Sequence, residues 1–160
     1  MKRLADPYLD LAVIDGRAPR FNQAMVGVLS VLAVATGWWW LLAGLCLQLV
    51  VGLTLGRRFC FPCLVYFELV QPRFGEGPLE DSRPPRFANM VGAVVLFAAA
   101  SAYAAGATVA GTALGSLVAA LALLAATTGF CAGCEAFKVG SFVLGRPFVS
   151  CPIPGARSGS

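Results

Sequence analysis

Two long stretches without a charged residue constrain the fold of this chain more than any other feature. Residues 24–55 contain no Asp, Glu, Lys or Arg, and the same is true of residues 87–134. An apolar segment of about 18 residues is already long enough to cross a bilayer as a helix. Each stretch has room for two such helices joined by a tight turn. The sequence therefore predicts four transmembrane helices in one domain, residues 1–160.

A repeated phrase divides the chain into two similar units. Asp-Gly-Arg-Ala-Pro-Arg-Phe at residues 15–21 returns as Asp-Ser-Arg-Pro-Pro-Arg-Phe at residues 81–87. Each copy leads into one of the apolar stretches, and each stretch ends in Phe-Cys-x-x-Cys. Such self-similarity indicates one structural unit used twice. The predicted parts are repeat 1 at about 15–70, a cytoplasmic loop at about 71–84, repeat 2 at about 81–145 and a flexible tail at 146–160.

Turn signals place the individual helices within these units. Gly37 and the three tryptophans at 38–40 mark the outer turn of the first stretch, because Trp favours the membrane boundary. Pro19 and Pro85 suit the first turn of a helix, where a missing N–H does no harm. The predicted spans are 19–36, 39–55, 87–105 and 113–130, with a second outer turn at 106–112 and short interfacial helices at 62–70 and 135–144.

The predicted fold class is an all-α integral membrane protein. Its four transmembrane helices form two tandem, parallel-repeated helical hairpins, with a short interfacial helix after each Cys-x-x-Cys motif. Residues 1 to about 18 are expected to be polar and either interfacial or partly disordered. In the first interfacial helix, Leu64, Tyr66 and Phe67 are available to lie against the bilayer.

The positions of the basic residues predict the orientation. All twelve Lys and Arg residues lie near the ends of the chain or around the central loop, and the turns inside the apolar stretches have none. Under the positive-inside rule, both termini and the central loop are cytoplasmic. Because each unit has an even number of spans, both units enter the membrane in the same direction, which places both cysteine motifs on the cytoplasmic face. The cations are expected to contact membrane lipids, and no nucleic-acid partner is expected.

Four cysteines in two Cys-x-x-Cys motifs form the candidate site. They are a first pair, Cys60 and Cys63, and a second pair, Cys131 and Cys134. Such a pair can cycle between dithiol and disulfide, and the thiolate is its reactive form. The working hypothesis is thiol–disulfide or sulfur-relay chemistry, in which Cys60 attacks, Cys63 resolves and the second pair receives or returns equivalents. A permanent structural disulfide is not expected in a reducing cytoplasm.

Charges near the first pair favour this hypothesis. Arg57 and Arg58 come shortly before Cys60, and a predicted helix begins just after it. Cations and helix N-termini both lower the pKa of a thiol. Pro62 also precedes the second cysteine, as in thioredoxin motifs, although no βαβ pattern accompanies it. The second pair is followed by Glu135, so its electrostatic case is weaker.

Two other interpretations of the cysteines remain open. The four thiolates could together bind zinc or an iron–sulfur centre, and the lack of any histidine excludes a histidine-containing site. The protein could also be a non-catalytic structural or assembly subunit, with the small residues of the fourth helix packing on a partner. Cys46 is interpreted as core packing and Cys151 as an idle thiol in the tail.

The repeated Asp/Arg phrase also has two interpretations. In the first, Pro starts each helix, Arg contacts lipid phosphate, and Asp caps the helix or pairs with Arg. In the second, Arg20 and Arg86 bind an anion beside the cysteines, and two asparagines line the same entrance, Asn22 and Asn89. The residues predicted to bind an anion or a lipid headgroup are Arg20, Arg57, Arg58 and Arg86.

The sequence around and after the first pair resembles a known family. Residues 58–68 read Arg-Phe-Cys-x-x-Cys-Leu-Val-Tyr-Phe-Glu, and residues 73–89 contain Arg-Phe-Gly and then Pro-Leu-Glu-Asp-Ser-Arg-Pro-Pro-Arg-Phe-Ala-Asn. This pattern resembles the domain-of-unknown-function 4395 family of small bacterial membrane proteins over about residues 15–145. The resemblance implies a four-helix protein of the bacterial inner membrane, with the four motif cysteines as its candidate site. It also implies a cytoplasmic thioredoxin-like or sulfurtransferase partner, because genes for such proteins are often found nearby.

Overall fold

Most of the chain is helical in its computed structural model. The structure describes residues 12–143 without a break, together with residues 6, 8, 9 and 145. The predicted tail at 146–160, including Cys151, lies outside the described residues. In chain order the elements are β1 (Val13–Asp15), α1 (Arg17–Thr36), α2 (Trp39–Thr54), a 3-10 turn (Arg57–Phe59), α3 (Phe61–Val65), a π-helical turn (Tyr66–Val70), α4 (Gln71–Phe74), β2 (Leu79–Asp81), α5 (Arg83–Ala104), α6 (Thr108–Thr128) and α7 (Ala132–Val143).

The long helices are suited to a membrane. Within the described residues, three of them are long and apolar enough to cross one, namely α1, α5 and α6. The helix α2 is also apolar but has 16 residues. At about 1.5 Å per residue it measures about 24 Å, which is less than a hydrocarbon core of about 30 Å. Large apolar side chains such as Leu47, Val94 and Phe97 are exposed on these helices, which is compatible with a membrane protein.

The helices α5 and α6 both begin earlier than predicted. The predicted outer turn at 106–112 is wrong, because α6 already covers most of it. Gly106 adopts a left-handed φ of 81°, which closes the turn within a few residues. The hydroxyls of Tyr103 and Thr112 then hydrogen-bond at 2.7 Å, and Gly111 leaves room for the tyrosine ring. The helix α5 also starts early, because its two prolines fit the first turn of a helix.

A two-stranded antiparallel ribbon joins the segments that precede α1 and α5. Ile14 in β1 lies opposite Glu80 in β2. The N–H of Gly16 donates to the carbonyl of Pro78 at 2.9 Å, and a matching bond of 3.1 Å closes the other end. The described part of the chain is mostly helical, as predicted, and this short ribbon is a departure from the all-α prediction. The two short segments satisfy each other's backbone groups, which neither could do alone.

Each long helix of one half packs mainly on a helix of the other half: α1 on α6, and α2 on α5. Between them lies a core that includes the buried side chains of Leu42, Leu96 and Ala99. The ribbon holds the starts of α1 and α5 side by side. These two helices therefore begin at the same end of the molecule, which we call the ribbon end. The tight turns at Gly37 and Gly106 lie at the opposite end.

The segment after the first pair is buried by protein. The expectation that Tyr66 and Phe67 lie against the bilayer is wrong, since both side chains are buried. The π-helical turn places the two rings against α1, where they pack with Ala18. The Tyr66 hydroxyl donates to the carboxylate of Asp15 at 3.0 Å, which satisfies a buried phenol. The predicted loop at 71–84 likewise contains α4 and β2.

Candidate functional site

Each cysteine pair stands at the start of a helix. Cys60 directly precedes α3 and Cys63 lies in its first turn, while Cys131 and Cys134 hold the same positions at α7. The carbonyls of Cys60 and Cys131 accept the first hydrogen bond of the following helix, in both cases at 2.9 Å. All four are free thiols. Because a helix N-terminus carries partial positive charge, the position favours a thiolate on the first cysteine of each pair.

The first pair lines a cavity of about 240 Å³ between α1, α2 and α5. Cys60 is buried, and α2 passes close to it at Gly52. A Cβ on Gly52 would lie 3.2 Å from the Cβ of Cys60. One turn earlier on α2, the amide nitrogen of Gln48 lies 3.7 Å from Cys60 Sγ. A reactant can thus meet this thiol in the cavity.

Hydrogen bonds lower the pKa of Cys60 to about 7. The bond from the Cys63 thiol contributes most. The Cys63 backbone N–H and the Gln48 amide add to it, against burial, which raises the pKa. The same coupling to Cys60, together with burial, raises the pKa of Cys63. The predicted roles of Cys60 as the attacking thiol and Cys63 as the resolving thiol stay predictions, and these pKa shifts are in the direction that such roles need.

The second pair has the same asymmetry. The pKa of Cys131 is lowered to about 6, first by the Cys134 thiol and also by the Cys134 backbone N–H and the Gln23 amide. These last two donors lie 3.4 Å and 3.3 Å from Cys131 Sγ. The bond to Cys131, with burial, raises the pKa of Cys134. Glu135 forms an ion pair with Lys138 at 2.8 Å, so a nearby cation offsets its charge.

A network of side-chain amides lies between the two pairs. Asn22 on α1 donates to Asn89 on α5 at 3.3 Å, and Gln48 on α2 lies 3.5 Å from the Asn22 oxygen. Both asparagines line the cavity of the first pair. They also line a second cavity of about 130 Å³, which Cys131 borders. The two cavities therefore adjoin at the asparagines.

Arg20 and Arg86 lie at matching places, each beside the C-terminal end of a helix from the other half. Arg86 donates to the carbonyl of Leu53, in the last turn of α2, at 3.4 Å. The guanidinium of Arg20 lies against Gly129, which caps α6 with a φ of 76°. Helix C-termini carry partial negative charge, so both arginines stabilise helix ends. Their binding of an anion or headgroup stays a prediction, although Arg86 also lines the first cavity.

The adjacent arginines before the first pair have different surroundings. Arg57 donates to the carbonyl of Val13 in β1 at 2.7 Å and also lines the first cavity. It therefore fixes the 3-10 turn, and with it Cys60, at the ribbon end. Its charge opposes the rise in the pKa of Cys63. The side chain of Arg58 is exposed.

The two aspartates of the repeated phrase both bind the start of a helix. Each accepts a hydrogen bond from the N–H two residues later, at 3.0 Å for Asp15 and 2.8 Å for Asp81. Asp81 also forms an ion pair of 3.9 Å with Arg83. The hydrogen bonds and the ion pair of the two aspartates agree with the helix-entry interpretation, while the contact of Arg with lipid phosphate stays a prediction. Asp15 is buried, and its second oxygen accepts from Tyr66, Gln71 and Gly77 at 3.0, 3.3 and 3.0 Å.

The cysteines do not form a metal site in this geometry. Within the described residues, no three Cys, Asp or Glu side chains are placed together so that they could hold an ion. A zinc or iron–sulfur site would need the four sulfurs of both pairs at one point. The predicted four-thiolate site therefore finds no support in the arrangement of the described residues. The helix starts keep the two pairs at separate cavities.

Comparison with known protein families shows to which family this chain belongs. A family described as a domain of unknown function, DUF4395, matches residues 14–141. That range covers most of the chain and both cysteine pairs. The chain belongs to the DUF4395 family. The resemblance seen in the motifs is thus confirmed, while no curated protein and no solved structure matches this DUF4395 chain.

The sequence reading of this DUF4395 protein missed two residues of the site. Gln23 and Gln48 each place an amide nitrogen beside the first cysteine of a pair. A signal for Gln48 was present, because it is the only side-chain amide in the stretch 24–55. The interpretation of Cys46 as core packing is confirmed: it packs against the core, and its thiol lies 3.3 Å from the carbonyl oxygen of Ala93.

Proposed function

We propose that this DUF4395 protein carries out thiol–disulfide exchange at the membrane, with the first and second pairs as its two dithiol sites. The asymmetry within each pair carries the proposal. The pKa of Cys60 is about 7 and that of Cys131 about 6, while the partner cysteine of each has a raised pKa. A thiolate at neutral pH beside a protonated resolving thiol is what exchange requires.

The steps of the exchange follow from these protonation states of the two cysteines. The Cys60 thiolate attacks one sulfur of a partner disulfide, and the S–S bond breaks to release the other partner sulfur as a thiolate. Cys63 gives its proton to that leaving thiolate and attacks the sulfur of Cys60. The Cys60–Cys63 disulfide forms, and the partner leaves as a dithiol after taking a second proton from solvent. Two electrons pass to the partner, and the reverse sequence returns them. Cys131 and Cys134 react in the same way.

We further propose four spans, α1, α2, α5 and α6, arranged as two tandem hairpins in a bacterial inner membrane. The path of α2 supports a fourth span despite its length. It starts beside the turn at Gly37 and leads to Arg57, which is bonded to Val13 at the ribbon end. A chain that crosses with α1 therefore returns with α2. The tryptophans at 38–40 and the arginines at 57–58 suit opposite membrane boundaries, which supports the proposal that both termini are cytoplasmic.

The second pair is the better site for a protein partner. Cys131 is only half-buried, and the exposed residues Phe130 and Ala132 flank it. Cys60, in contrast, is buried. We therefore propose that a cytoplasmic thioredoxin-like or sulfurtransferase protein exchanges electrons or sulfur with Cys131, and that lipid headgroups contact the basic residues at this face.

A redox titration tests the thiol proposal. The purified full-length protein is equilibrated in glutathione buffers of graded potential, alkylated and mapped by peptide mass spectrometry. We expect the disulfides Cys60–Cys63 and Cys131–Cys134 to form and to be reduced reversibly. The control Cys46→Ser leaves both transitions unchanged, because Cys46 packs in the core. Thiols that stay reduced in every buffer, or disulfides that join one pair to the other, contradict the proposal.

A further inference from the structure

The first cysteine pair faces inward, although its neighbours in the sequence face outward. Cys60 is 6% exposed, while Phe59 and Phe61 on either side are 59% and 61% exposed. The two rings cover the outside of the turn, and the thiol points away from them into the cavity of about 240 Å³. Because Cys60 lines the cavity and is buried from outside, its partner in the exchange proposed above is a molecule, or a segment of one, that is small enough to enter the cavity.

The cavity combines an apolar wall with a group of hydrogen-bond donors. Leu49 and Leu53 of α2 form part of the wall, and the amides of Gln48 and Asn89 and the guanidinium of Arg86 also border the space. Among the described residues that line the cavity, two are arginines and none is a carboxylate. The lining suits a molecule that has an apolar body and oxygen atoms that accept hydrogen bonds and become negatively charged when the molecule is reduced.

The size and position of the cavity limit which molecules can bind in it. One water needs only about 10–15 Å³ of such space, so the cavity holds a molecule of many atoms. It lies between α1, α2 and α5, whose outer faces are apolar, and beside the arginines that mark the proposed membrane boundary. A molecule that partitions into the bilayer is therefore concentrated near this cavity. An inorganic anion would leave the apolar wall without a contact.

We propose that this cavity binds the head group of a membrane quinone, which oxidises the first pair. The inference rests on the proposed thiol function. The Cys60 thiolate and the Cys63 thiol lose two electrons and one proton, and an S–S bond forms between them. The quinone takes up both electrons, the proton of Cys63 and a second proton from solvent on its two oxygens, and it leaves as the hydroquinone. Donors such as Arg86 and Asn89 stabilise the negative charge on oxygen while the electrons arrive.

The second pair provides an internal comparison. Among the described residues that line its cavity of about 130 Å³, the donors are the amides Asn22, Gln23 and Asn89, and there is no arginine. The two sites thus differ in the cation that would stabilise a reduced quinone. We expect the quinone to oxidise the first pair directly and to leave the second pair reduced in a variant that lacks the first.

Anaerobic oxidation of the pre-reduced full-length protein in lipid nanodiscs tests the proposal. The probe is decylubiquinone, whose ring is fully substituted, so that direct addition of thiols is disfavoured. We expect one hydroquinone per chain by absorbance and a loss of two hydrogen atoms by intact mass, mapped to Cys60 and Cys63. Cys63→Ser abolishes the reaction, and the double variant Cys131→Ser/Cys134→Ser retains it.

Variants at the arginines test the cavity itself. Arg86→Gln slows the oxidation about tenfold, the effect of losing one charge-assisted hydrogen bond. Arg73→Gln removes an exposed arginine that does not line the cavity, and it leaves the rate unchanged. If the Arg86→Gln protein does not fold, Asn89→Leu removes another hydrogen-bond donor from the same cavity and tests the same prediction. Equal rates in the wild type and both cavity variants overturn the proposal, as does oxidation confined to the second pair.

A parallel reaction separates this inference from the proposed function. The same reduced protein is treated with a small aromatic disulfide in place of the quinone. If the aromatic disulfide forms the Cys60–Cys63 bond and the quinone does not, the quinone inference is overturned and the thiol function stands. If neither oxidant forms that bond, both are overturned. A covalent quinone adduct in place of the disulfide also overturns the inference.

Discussion

At the scale of single residues, the two cysteines of each pair differ because of the donors around them. The Sγ atoms of Cys60 and Cys131 are each the centre of a small group of hydrogen-bond donors: the partner thiol, a backbone N–H and a glutamine amide. Each donor favours the thiolate and lowers the pKa. The partner cysteine donates rather than accepts, so its pKa rises. Nearby cations contribute less to the lowered pKa values of Cys60 and Cys131 than the sequence suggested.

Alkylation rates as a function of pH test this asymmetry. A lowered pKa means that the thiolate, the reactive form, is present at lower pH, so Cys131 reacts with a midpoint near pH 6 and Cys60 near pH 7. Gln48→Leu removes a donor from Cys60 and moves its midpoint to higher pH. Gln23→Leu does the same for Cys131 and is the matched control for Cys60. Iodoacetamide labelling followed by peptide mass spectrometry measures each thiol, and midpoints that do not move contradict the assignment.

The repeated aspartates give a second test at this scale. Asp15→Ala leaves several buried donors without an acceptor and lowers the free energy of unfolding in detergent by about 2–4 kcal/mol. Asp81→Ala removes a helix-entry bond at the equivalent, more exposed position and lowers it by about 1 kcal/mol. Chemical denaturation followed by circular dichroism compares the two. Equal losses of unfolding free energy in the two variants would show that the buried hydrogen bonds of Asp15 add nothing to stability.

At the scale of the helices and strands, small residues decide how closely each cysteine motif approaches the bundle. A Cβ on Gly133 would lie 2.7 Å from the Cβ of Ala88 on α5, and 2.8 Å from its Cα. The second motif can therefore have only glycine before Cys134 if α7 keeps this position. The first motif has Pro62 there, which suits the first turn of α3.

Two glycines on α7 form a matched pair for a stability measurement. Gly133→Ala forces α7 away from Ala88, and we expect it to lower the free energy of unfolding by about 1–3 kcal/mol. A Cβ on Gly140 would meet nothing within 4 Å, so Gly140→Ala is neutral or stabilises the helix by up to about 1 kcal/mol. Thermal unfolding in detergent compares them. Similar behaviour of the two variants would contradict the docking of α7 on α5.

The sequence predicts some elements of this fold better than others, for physical reasons. The long helices follow from charge-free apolar stretches, and glycine and tryptophan mark the first outer turn. The strands at Val13–Asp15 and Leu79–Asp81 are too short to show a period of two, and each is stable only because the other lies beside it. Tyr66 has no local signal for burial, because its partner Asp15 is distant in the sequence. The cysteine pairs were predictable from their spacing. The contact of Gln23 with Cys131 was not, because it depends on the tertiary packing of residues that are distant in the sequence.

At the scale of the whole molecule, the ribbon fixes the relation between the halves. It brings the starts of α1 and α5 together, and the bonds from Arg57 to Val13 and from Gln23 to Cys131 bring both cysteine pairs back to that same end. We therefore propose that the two motifs are equivalent sites on one face of a duplicated membrane fold. This equivalence is the central claim of the account.

Sided labelling of single cysteines tests that claim most directly. The six native cysteines are replaced by alanine, and one cysteine is introduced at an exposed position: Arg58→Cys or Phe130→Cys next to the motifs, and Trp38→Cys or Ala107→Cys at the opposite turns. A membrane-impermeant maleimide is applied to right-side-out and to inverted vesicles. The account predicts that positions 58 and 130 react only in inverted vesicles, and positions 38 and 107 only in right-side-out vesicles. Reaction of positions 58 and 130 from opposite sides, or of positions 38 and 58 from the same side, would contradict it.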